Sequence, residues 1–404
     1  MGYKENQVIL FLIEKVLPGK IMPLKVTNKG VFFIAVSQFG MAFSFNFMIA
    51  FMPFYIAKIS TFGPKETMLW IGLIMGGSSI LMALTAPFWG GLTSRFRPKL
   101  LFERGLLCNG ILILLMGFTD SLYLLLLLRI MQGALGGVST IGLVLISSLS
   151  PEERLHKDLS LFQNSMTAGQ LMGPPLGTYA ASLFGYRAAF VAAFVIVSIF
   201  LIFCHHYVSD IPLQEKRSSP DAYYKKGLIL GWALSLIATV QLTFLPSILP
   251  RILEGFGLIG GVALNFAGII IMCYTATAIL GTYIFSRFSS KIGLKKVITV
   301  ACLSAACLQV LLIVSNGVLS FTVIRMAQTG FIAAIFPLTI SVFARDVGGG
   351  MLGFLNSARF FGNALGPLMA TSVLAYSNLL TLYIVIAGFT LVTLWAFLAS
   401  KRGF

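Results

Sequence analysis

An all-α membrane protein, with twelve transmembrane helices in two pseudo-symmetric six-helix bundles, is the fold class this sequence predicts. Three observations carry it. Hydrophobic residues make up 57% of the 404-residue chain and charged residues only 10%, too few charges to clothe a soluble globule of that size; mean hydropathy is +0.92. Windows of about twenty residues isolate twelve apolar segments, near 31–57, 68–93, 101–118, 121–148, 160–183, 187–207, 226–249, 259–286, 295–315, 318–343, 351–375 and 379–399. Inside the run Leu124–Gly137 stand Arg129 and Gln132, and Arg325 and Gln328 repeat their spacing 196 residues later.

Taken in order, residues 1–30 precede the first span. Val8–Ile13 is apolar, but Glu14, Lys15 and Pro18 end it at about a third of the length a span needs. A short interfacial helix is expected there, with Lys4, Lys15, Lys20, Lys25 and Lys29 near anionic headgroups. Neither a cleavable signal nor a myristoylation site is expected. Residues 31–207 then form the first bundle and 226–400 the second, joined by a cytoplasmic linker over 208–225 that carries Asp210, Pro212, Glu215, Lys216, Arg217 and Pro220.

The duplication extends beyond the arginines. The basic turn from Ser94 through Arg95 to Lys99 maps by the same 196 residues onto Ser290, Lys291 and Lys295, and Gly173-Pro174 with Gly177 answers to Gly366-Pro367 at an offset of 193. Helix pairs, basic turns and Gly-Pro helices recurring in one order in each half are the parallel-repeat pattern of a two-bundle secondary transporter.

Charge sets topology. The net +16 comes with no basic soluble domain that could hold nucleic acid. Lys and Arg gather in alternate loops, among them Arg95, Arg97, Lys99, Arg104, Arg154, Lys157, Arg287, Lys291, Lys295, Arg345, Lys401 and Arg402; the opposite side holds little beyond Lys58, Lys65, Arg187 and Arg251. The positive side is retained in the cytoplasm, so both termini are expected there. Cys108, Cys204, Cys273, Cys302 and Cys307 lie in apolar segments without metal or redox spacing, and no metal or cofactor is expected.

Polar residues inside the spans are the candidate substrate-binding set, since an ionisable group at membrane depth is expensive and functional by default. They are Asn46, Arg129, Gln132, Asn164, Arg325, Gln328, Asn356, Arg359 and Asn363. Asn356, Arg359 and Asn363 fall at i, i+3 and i+7, one face of the eleventh helix. That face turns from lipid, because Arg at mid-span costs about 2.5–3.5 kcal/mol on insertion scales. For Arg129 and Arg325 a second reading stands beside substrate binding, in which the guanidinium braces helices by bonding backbone carbonyls. None of the thirteen acids lies near mid-membrane, which speaks against a proton relay through a carboxylate. The first helix adds Phe43, Phe45, Phe47, Met48, Phe51 and Met52, and those near Asn46 suit amphipathic substrates of varied shape. Proline at 174 bends its helix, while Gly169, Gly173 and Gly177 at four-residue spacing offer a flat face to a neighbour.

Three motifs carry a family resemblance over residues 31–400. Phe88-Trp89-Gly90-Gly91-Leu92-Thr93-Ser94-Arg95-Phe96-Arg97-Pro98-Lys99 resembles the loop signature of the major facilitator superfamily between the second and third helices. Arg129-x-x-Gln132-Gly133 resembles its fourth-helix motif, and the run from Gly169 through Gly173-Pro174 to Gly177 resembles the fifth-helix motif of its drug-antiporter groups. The resemblance implies gating roles for Ser94, Arg95, Lys99, Gly173, Pro174, Gly177, Ser290, Lys291, Gly366 and Pro367, and a bacterial inner (plasma) membrane as the location. The chain departs from it where the loop acid is expected: Ser94 stands there, and Ser290 in the second copy. A cytoplasmic lock built on that acid is therefore missing, with Glu103 and Asp346 the nearest replacement candidates.

Among function classes, an enzyme is not expected, because His156, His205 and His206 sit at helix ends and no nucleophile–base arrangement appears. A channel would need a selectivity loop. The expected function is secondary transport of amphipathic small molecules by alternating access, as a monomeric exporter of the multidrug-efflux type working by antiport with a proton or other ion. The alternative is a dedicated carrier of an anionic amphiphile such as a lysolipid, a siderophore or another carboxylate- or phosphate-bearing metabolite.

Overall fold

The computed structural model describes residues 29–93, 95–151, 155–208, 226–343 and 349–399. Among these residues every regular element is a helix, one of the two structures that satisfy each backbone polar group within the chain in hydrocarbon. The first sequence half holds α1 (Lys29–Ile59), α2 (Pro64–Leu92), α3 (Pro98–Met116), α4 (Leu122–Ala134), α5 (Val138–Leu149) and α6 (Leu155–Tyr207). The second holds α7 (Lys226–Thr243), α8 (Leu245–Gly255), α9 (Gly260–Ile292), α10 (Leu294–Leu311), α11 (Val318–Ile332), α12 (Ile335–Phe343), α13 (Gly349–Tyr376) and α14 (Leu379–Ala399).

Each of the twelve apolar segments expected from the sequence falls on one of these helices or on a pair of them. Nine stretches of the described residues are long and apolar enough to cross a membrane. One of them, Lys157–Tyr207, turns back at Gly185, whose φ of 82° and ψ of 165° interrupt α6 in a conformation that glycine adopts without penalty. α3 and α13 complete the set outside those nine. The protein is integral to the membrane.

Where hydropathy predicts one segment at 121–148, the structure has two helices. α4 ends at Ala134 and α5 begins after Gly137 at φ 86°. Two side chains hold carbonyls at the break: Trp89 Nε1 donates to Ala134 O at 2.8 Å, and Arg104 Nη2 donates to Gly136 O at 3.1 Å. The Arg104 guanidinium also lies 3.6 Å from the centroid of the Trp89 ring. The second half has the matching discontinuity between α11 and α12.

The helices have two kinds of end. The short connections Ser60–Gly63, Gly117–Ser121, Phe256–Ile259 and Ser377–Asn378 mark one, and the basic turns at Arg95–Arg97 and at Gly293 mark the other. Contacts between the halves lie nearer the short-loop end. There α2 meets α13 and α6 meets α9, Ala50 of α1 joins the core cluster of the second half, and Leu264 of α9 joins that of the first.

Candidate functional site

The two buried arginines use one motif in two ways. Arg129, 1% exposed, donates from Nε to Ile74 O at 3.1 Å and from Nη2 to Met75 O at 3.3 Å, tying α4 to α2. Nη1 donates to Gln132 Oε1, and the Phe45 ring centroid lies 5.3 Å from the guanidinium carbon. Arg325, 0% exposed, turns instead to α7, donating from Nη2 to Gln241 O at 2.8 Å and to Leu242 O at 3.2 Å. Nη1 donates to Gln328 Oε1, and the rings of Phe244 and Tyr274 lie 4.8 and 4.9 Å away. Gln328 Nε2 in turn donates to Gln241 Oε1 and, at 3.0 Å, to Gln309 Oε1, while Gln241 Nε2 donates to Thr390 Oγ1 at 2.5 Å.

Beside the arginines stand repeat-equivalent residues of different kinds, Phe45 and Gln241, 196 residues apart. Where the second half offers an amide, the first offers a ring. Among the described residues no carboxylate pairs with either arginine. Both guanidiniums are enclosed and spent on carbonyls and glutamines, which is the geometry of the helix-bracing reading.

This asymmetry makes a stability prediction. Arg129→Met strands Gln132 without a partner for either amide atom, since its Nε2 already lacks one, at a cost of about 1–3 kcal/mol. Adding Gln132→Leu is expected to recover most of the melting temperature, because replacing both partners by apolar groups is nearly neutral. In the second half, Gln328→Leu is expected to worsen Arg325→Met, since Gln241 and Gln309 then lose a donor. Thermal melts of the four variants in detergent check this.

The remaining candidate binding residues are more open. Asn46 is half-buried, its Nδ2 donates to Ala42 O at 2.8 Å, and its Cβ packs toward Gly173 of α6. Asn164 is exposed on α6. Arg359 and Asn363 are half-buried on α13, and the Asn356 side chain lies outside the described residues. Among the described residues the Arg359 guanidinium meets the ring of Phe336 at 5.1 Å, and no hydrogen-bond acceptor. The contacts described join neither Asn46 nor Asn164 to Arg359.

The glycines expected to offer a flat face do so, and their neighbour is α1. A β carbon at Gly169 would lie 2.6 Å from Phe43 N and 2.8 Å from Phe39 O, one at Gly173 2.8 Å from both Phe43 O and Phe47 N, and one at Gly177 would overlap the Phe47 carbonyl. In the second half Gly362 and Gly366 pack likewise against Thr239 and Thr243 of α7. Pro174 lies across the halves beside Gly268 of α9, and Pro367 is on α13, whose Ala364 and Leu368 meet α2.

Of the residues at the basic turns, Ser94 and Asp346 lie outside the described residues, as does the Ser290 side chain; Arg95 and Lys291 are exposed. Lys99 points to α6 of its own half, donating to His205 O at 2.7 Å and standing 3.7 Å from Glu103. Glu103, offered as a replacement for the missing loop acid, meets Lys99 and, at 3.4 Å, His205. These helix-end groups thus bind α3 to the end of α6. Sequence reasoning placed Trp89 in the loop signature and Arg104 on the positive side without their part at the α4–α5 break, and it missed Gln241 and the glycines of α2 and α9, although the offset of 196 residues links Gly72 to Gly268.

A family model described as Major Facilitator Superfamily matches residues 34–258. The chain belongs to the major facilitator superfamily. It is therefore a membrane transporter and not an enzyme, with a small molecule as its cargo. Among curated relatives of this family, the multidrug resistance protein MdtG of Escherichia coli O17:K52:H18 (strain UMN026 / ExPEC) is 26% identical over 375 residues, which are 89% of this chain and 92% of that protein. MdtG of Escherichia coli (strain K12 / DH10B) is 25% identical over the same shares. Among solved structures of the fold, a point mutant of the nucleoside transporter NupG superposes with a TM-score of 0.74 at 13% identity, covering 93% of this chain and 100% of that one. The human organic anion transporter MFSD10 gives 0.70 at 15% identity over 91% and 99%. A bacterial homologue of the lysosomal transporter Spinster, inward-facing and occupied, gives 0.71 at 13% over 93% and 96%.

Proposed function

We propose that this transporter exports amphipathic small molecules across a bacterial inner membrane by alternating access. The moving bodies are residues 31–207 and 226–400, joined by the linker 208–225. The observation that carries this reading is the placement of contacts between the halves, which gather toward the short-loop end and leave the halves to part toward the basic end. With the basic end in the cytoplasm, the pathway is poised to load from inside. The MdtG relatives, named for multidrug resistance, favour efflux as the direction. Among the described residues the acids Glu66, Glu103, Asp120, Asp158 and Glu254 lie between helices or within two turns of a helix end, so none of these five offers a mid-span carboxylate for coupling to a proton or other ion.

Two measurements test it. Cells lacking their own pumps and expressing the protein are expected to accumulate several-fold less of a cationic amphipathic dye than cells carrying an empty vector; equal accumulation across a panel of such dyes would overturn export. For orientation, a membrane-impermeant maleimide added to whole cells is expected to label Asn316→Cys but not Lys291→Cys. Labelling of both from outside would refute the topology.

The alternative carrier of an anionic amphiphile is favoured by one observation. Arg359 is a half-buried cation for which the described residues supply a ring but no acceptor, in contrast to the two bracing arginines.

A further inference from the structure

A groove runs along the first half between α3 and the second limb of α6, the one that follows the turn at Gly185. It holds about 430 Å³, within the roughly 300–1,000 Å³ of ligand-sized clefts. Both walls carry the same order of chemistry. Toward the basic end stand Glu103 and Arg104 of α3 and His205 and His206 of α6; one turn further into the span come Leu107 and Ile202. Those two apolar side chains are 47% and 54% exposed at the level of lipid chains. A polar rim over an apolar turn is the profile of a phospholipid lying with its head at the basic end.

Charge decides the kind of head. The one acid of the groove is already answered: Glu103 stands 3.7 Å from Lys99 and 3.4 Å from His205. Arg104 is not. Its Nη2 donates to Gly136 O and its guanidinium lies over Trp89, but among the described residues no carboxylate pairs with it. His206 is exposed, and its ring meets that of His205 at 5.5 Å. With the histidines neutral, Lys99, Arg104 and Glu103 leave the rim one charge positive. The amino end of α3, at Pro98, adds partial positive charge beside them.

We propose that this groove binds an anionic phospholipid of the leaflet at the basic end, its phosphate received by His206 and Arg104 and one acyl chain laid along Leu107 and Ile202. The inference goes beyond the export reading and depends on neither cargo nor direction. The site belongs to the first half alone: 196 residues on from Glu103 and Arg104 stand Thr299 and Val300, so the repeat does not itself call for these charges. Arg104 also joins the groove to the break between α4 and α5. A phosphate beside it steadies the guanidinium that holds Gly136 O, and the lipid is expected to stabilise the fold as well as bind.

Native mass spectrometry of the delipidated protein, titrated with phosphatidylglycerol or with phosphatidylcholine of the same acyl chains, reads the preference. The wild type is expected to bind phosphatidylglycerol about fivefold more tightly, the effect of one cation near a membrane surface. His206→Glu reverses the rim and Ile202→Trp fills the apolar turn; both positions are exposed, and each change is expected to bring the ratio to about one. Val300→Glu makes a similar change of charge on the second half, at an exposed position, and is expected to keep the wild-type ratio. Phosphatidylglycerol is expected to raise the melting temperature of the wild type, and inorganic phosphate alone to leave it unchanged. A wild-type ratio near one, a preference retained by either folded groove variant, or an equal loss in Val300→Glu overturns the site. Equal stabilisation by inorganic phosphate overturns the lipid as its occupant.

Discussion

Gly177→Val is expected to leave no monodisperse, folded transporter in detergent extracts, although the same change at Gly388 leaves the protein at wild-type level. The contrast is in what each β carbon meets. At Gly388 no heavy atom lies within 4 Å, and a valine there is one more apolar side chain. At Gly177 the new carbon would fall on the carbonyl, carbonyl carbon and Cα of Phe47, and backbone inside a helix cannot swing aside as a side-chain tip can. α1 and α6 would have to separate along a seam that also runs through Gly173 and Gly169. That unpacks the aromatic stack built on α1, where Phe51 meets Phe190 edge to face at 5.0 Å and Phe47 meets Phe51 at 6.4 Å. Overpacking alone costs about 1–3 kcal/mol and sometimes more. The loss of a packed seam adds to that, against a total stability of about 5–15 kcal/mol. Gly177→Ala is expected to fold with a lower melting temperature. Size-exclusion profiles and thermal melts of the three variants check the order.

The class of fold was legible because hydropathy and repetition survive without knowledge of contacts. The offset of 196 residues is a property of the chain, and Gly169, Gly173 and Gly177 announce a close approach by spacing alone. What the spacing left open is the neighbour, since a flat helix face fits any helix. The break between α4 and α5 was hidden for a related reason: Gly136 and Gly137 interrupt hydrogen bonding but hardly alter the hydropathy of the run. Both motif arginines brace helices, but Arg129 bonds α2 and Arg325 bonds α7, a choice of neighbour that no spacing along the chain could announce. Lys99 and Glu103 were read toward a gate, yet long side chains in a turn lie on whatever helix end is adjacent, and here that end carries His205.

Arg359→Gln is expected to abolish transport of an anionic amphiphile while the protein still folds, and the comparison with Arg325 shows why. Arg325 spends its guanidinium on two backbone carbonyls, a glutamine and two rings, so its loss is a stability event. Arg359 shares its helix face with Asn363, which cannot look at lipid, and the described residues give its guanidinium the Phe336 ring at 5.1 Å and no acceptor. Cation–ring attraction is worth roughly 0.5–2 kcal/mol, less than the several kcal/mol that removing a guanidinium from water costs. An anionic group on the cargo would make up that deficit. Gln keeps a polar side chain of similar reach, so the fold survives. Charge and the planar pair of donors are what it lacks. Arg359→Lys restores the charge without the fork that grips carboxylate or phosphate in two places, and is expected to recover part of the transport of an anionic amphiphile and little of its selectivity. The measurement is uptake into inside-out vesicles of an anionic and a cationic amphiphile by wild type and both variants. Loss confined to the anion assigns Arg359 to cargo recognition. Equal transport by Arg359→Gln removes it from the pathway, and a variant that melts well below wild type returns it to the bracing role of Arg129 and Arg325.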